Sequence, residues 1–112
     1  MKGSDAEHLA AQFLQRQHLI LIEKNYRCRF GEIDLIMRDD AVLVFVEVRM
    51  RSNNSFGGAA ASITTTKQGK LIRAARHYLI QLNVVPACRF DVVLLTGTHN
   101  PEIRWIKNAF GE

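Results

Sequence analysis

The segment from Ala41 to Arg49 constrains this chain more than any other stretch of it. It is a near-continuous run of β-branched, aromatic and leucyl side chains broken only at its end by Glu47 and Arg49. Such a run favours extended backbone, and a strand this apolar needs cover on both faces. Ala41 to Val46 is far below the ~18 residues of a membrane span. Asp39-Asp40 immediately before it is a tight-turn signal, and Glu32 to Arg38 before that alternates in strand fashion. The two segments are therefore read as an antiparallel hairpin.

The remaining pattern fits around that hairpin. Leu9, Ala10, Phe13 and Leu14 form the apolar stripe of a helix over Ala6 to Gln17, with Ser4 or Asp5 as its cap and Glu7 in the first turn. Leu19 to Tyr26 reads as a strand, followed by a basic connection through Arg27, Arg29 and Gly31. A loop with Asn53-Asn54 and Gly57-Gly58 occupies residues 52–62. A second helix is expected over Thr66 to Leu82, with Leu71, Ala74, Ala75, Tyr78, Leu79 and Leu82 facing the core. Thr65 and Gln68 have capping-box spacing. Arg89 to Leu95 and Ile103 to Lys107 are two further strands, with Trp105 assigned to the core. No repeat or linker divides residues 1–112, so the expectation is one α/β domain, a mixed sheet of five strands flanked by helices.

The two cysteines, Cys28 and Cys88, are far apart and lack metal-ligand spacing, so both are expected as small buried hydrophobes. The N-terminus carries no apolar segment of signal-peptide type, which points to a cytoplasmic protein with no membrane association.

The charges closing the apolar strand carry the chemistry. Residues two apart on a strand share a face, so Glu47 and Arg49 lie on one side and Val46 and Val48 on the other. Asp34 lies on the neighbouring strand and can approach Glu47. Two carboxylates at one point repel unless a proton or cation lies between them. A hard divalent cation such as Mg²⁺ prefers such carboxylates together with a backbone carbonyl, waters and phosphate oxygens. The alternative is that Asp34 pairs with Arg38 or Arg49 while Glu47 caps a sheet end.

Fifteen Lys and Arg against eleven Asp and Glu give a formal charge of +4 and a pI near 9.4, which suits a polyanionic partner. On the second helix Lys67, Lys70, Arg73 and Arg76, with His77 continuing the line, form a stripe beside the apolar face. It is either a solvated face or a set of contacts to a nucleic-acid phosphate backbone. Asp91 is either a further acidic member of the site or the partner of a nearby arginine, the second being the preferred reading. The four histidines have no metal-like spacing, and there is no phosphate-binding loop, dinucleotide fingerprint or nucleophile elbow.

Several motifs in order carry a resemblance. They are Gly31-Glu32-Ile33-Asp34-Leu35-Ile36, Phe45-Val46-Glu47-Val48-Arg49, Phe56-Gly57-Gly58-Ala59-Ala60, Lys67-Gln68 and Arg89-Phe90-Asp91-Val92-Val93. Together they resemble the bacterial YraN-like proteins over nearly the whole chain. That family is similar to archaeal Holliday-junction resolvases, within the PD-(D/E)xK superfamily of restriction-endonuclease-like fold. The resemblance implies a metal-dependent endonuclease acting on DNA, including branched or structured DNA, with Mg or Mn as cofactor. It implies Asp34 and Glu47 as metal ligands, the Val48 carbonyl as a third, and Glu7 reaching the same site from the first helix. It also implies that Gln68 orients the attacking water or the phosphate, where the capping box is the competing account, and by analogy that two copies pair. Arg49 departs from the pattern, which has lysine there. Arginine keeps the charge and can steady a phosphate, but with a pKa above about 12 it cannot act as a base. A non-catalytic nucleic-acid-binding module on the same fold, or a protein-recruiting surface, accounts for the same features.

Overall fold

Tight turns and alternating side chains lay down the first three strands as a meander. In the computed structural model, which describes residues 3–51, 63–97 and 99–111, strand β1 (Ile20–Cys28) pairs antiparallel with β2 (Gly31–Asp39), and β2 with β3 (Val42–Arg51). The β1–β2 turn is closed by Gly31 at φ +148°, a backbone state suited to glycine. The β2–β3 turn uses Asp40 at φ +52°, a state that Asp tolerates.

Helix α1 (Gly3–Arg16) precedes the meander, and helix α2 (Thr65–Ile80) follows β3. Strand β4 (Cys88–Thr96) then pairs parallel with β3, the crossover that a parallel pair needs being supplied by α2. Strand β5 (Glu102–Phe110) closes the sheet antiparallel to β4, giving the order β1-β2-β3-β4-β5. This is the expected mixed five-stranded sheet flanked by helices, consistent with a restriction-endonuclease-like fold.

The two faces of β3 are divided as the alternation requires. Val44 and Val46 pack with Ala10, Leu14 and Leu35 under α1. Leu43 and Phe45 pack with Leu71, Ala74 and Phe90 under α2. Burying this much apolar surface at about 25 cal/mol per Å² is the dominant stabilising term. No helix among the described residues is long and apolar enough to cross a membrane.

Several expectations are corrected. Helix α1 begins at Gly3, so Ser4 and Asp5 lie within its first turn and do not cap it. Thr64 caps α2, its hydroxyl accepting from the Lys67 N–H, so the Thr65–Gln68 box does not form. Three consecutive threonines offer the same chemistry, and spacing alone does not choose among them. Cys28 is half-buried and Cys88 is exposed, because Cys88 opens β4 and burial begins only at Phe90. Trp105, expected in the core, is half-buried and does pack against the core under α1, meeting Phe13 edge-on. The glycine loop, including Phe56, Gly57 and Gly58, lies outside the described residues.

Candidate metal and nucleic-acid site

The site sits where the sheet forks. Pairing of β2 with β3 runs from Asp39–Val42 to Leu35–Val46 and stops there, whereas β1–β2 pairing continues to Cys28–Gly31. Beyond the last pair the Asp34 carboxylate takes the role of a backbone partner, accepting the Val48 N–H at 2.8 Å. Backbone N–H and C=O of one strand residue leave on the same edge, so the Val48 carbonyl also faces the opened gap. Alternation along β2 breaks at this point: Ile33 packs on the α2 side and Leu35 on the α1 side. Asn25 of β1, between the partners of these two residues, adopts φ +53°.

The fork lets side chains from both faces of the sheet meet. Glu7 arrives from α1 and hydrogen-bonds both Asn25 and Asp34. Glu47 points to the α2 side, 4 % exposed, and hydrogen-bonds Asp34. Its Oε2 accepts from Arg49 Nη2 at 3.1 Å and from Lys67 Nζ at 3.2 Å. Asp34 therefore pairs with neither Arg38 nor Arg49; the arginine belongs to Glu47. Glu32, two residues before Asp34, completes an acidic group: one oxygen each from Glu7, Glu32 and Asp34 lie within 4.8 Å of one another. Glu32 also meets Arg27 across the β1–β2 pair at 3.3 Å.

Burial raises the Asp34 carboxyl to about 7, its contact with Glu47 adding to the rise and the Val48 N–H opposing it. Burial and the charge of Asp34 likewise push Glu7 up. Below about pH 7 the Asp34 carboxyl therefore keeps its proton beside Glu47. Hard oxygen donors at this spacing suit a divalent cation, which would take the place of that proton. Asp34 could hold such an ion together with Glu7 and Glu32, whose oxygens are the ones gathered around it, and Glu47 and the Val48 backbone adjoin the group.

Asp34, Glu47, Val48, Arg49, Lys67 and Lys70 line one open cleft of about 350 Å³. Acidic and basic groups thus share a single cavity. The predicted basic stripe is divided in the structure. Lys67 and Lys70 face the cleft, Arg73 and Arg76 lie exposed farther along α2, and His77 turns to Tyr26, whose hydroxyl it hydrogen-bonds. Gln68 lies outside the cleft lining, and its side-chain amide donates to the Ile63 carbonyl at 3.0 Å. It anchors the helix start and does not point at the carboxylates.

Asp91 provides a contrast. It is fully buried at a break in β4–β5 register and accepts the Asn108 N–H at 2.9 Å, as Asp34 accepts that of Val48. Yet Arg89 and the Trp105 indole also donate to it, and Arg89 is shared with Asp39. Asp91 is a satisfied structural carboxylate, paired with arginine as expected. Sequence reasoning missed Glu32 as a member of the acidic group, although its two-residue spacing from Asp34 on a strand was the available signal. It also missed the Lys67–Glu47 pair, which joins residues twenty apart in sequence and leaves no local trace.

Comparison with known proteins gives one consistent match. The family described as "Uncharacterised protein family UPF0102" matches residues 6–95. A UPF0102 protein of Nitrosomonas europaea is 67% identical over 111 residues, covering 99% of this chain and 94% of that protein. A UPF0102 protein of Nitrosospira multiformis is 60% identical, covering 98% and 92%. One from Legionella pneumophila is 51% identical, covering 97% and 93%.

Proposed function

This chain belongs to the UPF0102 family, the YraN-like proteins, and from its cleft we propose that it is a metal-dependent endonuclease acting on DNA in the cytoplasm. The observation that carries the reading is the contact of Asp34 with Glu47 at the sheet fork, inside a cleft whose other wall is cationic. Carboxylates alone would repel a phosphodiester, and cations alone would only bind it. Their convergence suits cleavage, in the manner of the resolvase and PD-(D/E)xK nucleases that the sequence motifs resemble.

Asp34 and Glu47 would hold Mg²⁺ or Mn²⁺ with the Val48 carbonyl. When bound, the ion supplies charge neutralisation at the phosphate and a water of lowered pKa. Arg49 steadies Glu47, and Lys70 with Arg73 tracks the backbone without reading sequence. Glu7 would accept hydrogen bonds from water held at that site. Cutting both strands of a branched duplex calls for two such sites, so we include pairing of two copies in the proposal.

The test is incubation of purified protein with junction, flap and linear DNA and either ion. Cleavage that Asp34→Ala and Glu47→Ala abolish supports the reading. No cleavage of any substrate, or cleavage by the variants at the parent rate, defeats it. One observation favours the second reading, a binding module: Glu47 Oε2 is already met by two cations. That reading expects Lys70→Ala and Arg73→Ala to weaken DNA binding and its salt dependence, with Asp34→Ala binding no more weakly than the parent.

A further inference from the structure

We infer that Lys67, at the first turn of α2, is a catalytic cation of this site, placed to touch the scissile phosphate while it stays paired with Glu47. The inference rests on the endonuclease reading and assigns within it a role that Arg49 alone does not fill.

Two cations meet the same oxygen of Glu47, and their surroundings differ. The Arg49 side chain is 28% exposed, and its Nε is sealed from solvent without a hydrogen-bond partner among the described residues. Its guanidinium is held inward against Glu47. The Lys67 side chain is 45% exposed, lines the cleft and lies one helical turn from Lys70, which lines the same cleft. An ammonium carries three donors, and Glu47 takes one of them at 3.2 Å. The others are available to a phosphate oxygen that enters beside the carboxylates.

The local structure fixes the Lys67 backbone. Its N–H donates to the Thr64 hydroxyl at 3.2 Å, and Gln68 next to it ties the helix start to the Ile63 carbonyl. The cation thus stands on an anchored turn, next to where charge develops as the phosphodiester is attacked, and such placement favours the transition state over the bound substrate. Lys70, which makes no ion pair with these carboxylates among the described residues, is left to strengthen binding as a whole.

Three measurements on the full chain with Mn²⁺ test this. In single-turnover cleavage of the best substrate, Lys67→Ala is expected to lower the maximal rate by about 100-fold, the usual loss for a donor aimed at developing charge. DNA affinity, measured in Ca²⁺ to block cutting, should change by no more than about threefold, with Lys67→Arg recovering at least a tenth of the parent rate. Lys70→Ala should instead act chiefly on affinity. Without DNA, Lys67→Ala should bind Mn²⁺ at least about threefold more tightly, since a cation that shares Glu47 has gone. A maximal rate within threefold of the parent, or unchanged Mn²⁺ affinity, overturns the role for Lys67. If the unmodified protein cuts no substrate, the endonuclease reading fails and this role fails with it. If it cuts and Lys67→Ala cuts equally well, only this inference is lost.

Discussion

Replacing Asp34 by Asn should stabilise the metal-free protein, and the structure sets the size of the gain. Asp34 lies against Glu47, and its carboxyl is raised from an ordinary 3.8 to about 7 by burial and by that neighbour. The stability it contributes is fully present below the unfolded value near 3.8, and is lost as pH rises through about 7. That interval of roughly three pH units, at about 1.4 kcal/mol each, caps the effect near 4 kcal/mol. Partial solvent exposure lowers the working figure to about 2–4 kcal/mol. Asparagine keeps an oxygen for the Val48 N–H and offers an amide donor to Glu47, so the contacts of the protonated carboxyl survive without titration. Urea unfolding in chelator at about pH 4 and about pH 8 reads the difference directly. Parent and variant should nearly coincide at the lower pH. At the higher pH the variant should gain about 2–4 kcal/mol, or about 8–16 °C in Tm for a domain of this size. An equal gap at both pH values, or a less stable variant at the higher one, would refute the reasoning.

Two further outcomes follow from the same geometry. Because a cation must displace the proton on Asp34, Mn²⁺ affinity measured by titration calorimetry should rise about tenfold per pH unit below about 7 and level off above it. A flat profile from about pH 5 to pH 8 would exclude Asp34 as a ligand. Asp91→Ala should destabilise the fold by about 3–5 kcal/mol in urea, because Arg89, the Trp105 indole and the Asn108 N–H lose a shared buried acceptor. A loss below about 1 kcal/mol would mean that water or Asp39 replaces it.

The elements legible in the sequence were those that local periodicity encodes. Ala41 to Arg49 and its turn at Asp40 appear in place because burial on both faces and φ > 0 at one residue leave direct marks in composition. The face shared by Glu47 and Arg49 followed from strand alternation alone, and the structure brings those two side chains together. What was not legible is non-local. The end of β2–β3 pairing at Leu35–Val46 depends on Asp34 capturing the Val48 N–H, and no spacing announces that exchange. The same device at Asp91 looks alike in sequence, and only the Trp105 and Arg89 donors reveal it as structural. Helical spacing places Lys67 in a basic stripe on α2. Its tie to Glu47 arises from how α2 lies on the sheet. Gln68 fitted a capping box on paper, and the shift of the cap to Thr64 turned its amide toward Ile63.

Anomalous diffraction from crystals soaked in Mn²⁺ shows directly whether the fork between β2 and β3 holds a divalent cation. A bound ion should give a peak at about 2.0–2.2 Å from oxygens of Asp34 and Glu47 and from the Val48 carbonyl, with waters completing an octahedron. The Asp34→Asn protein, soaked identically, should show none there. A soaked crystal with density for all three residues and no peak among them, or with its only peak elsewhere, would contradict the account.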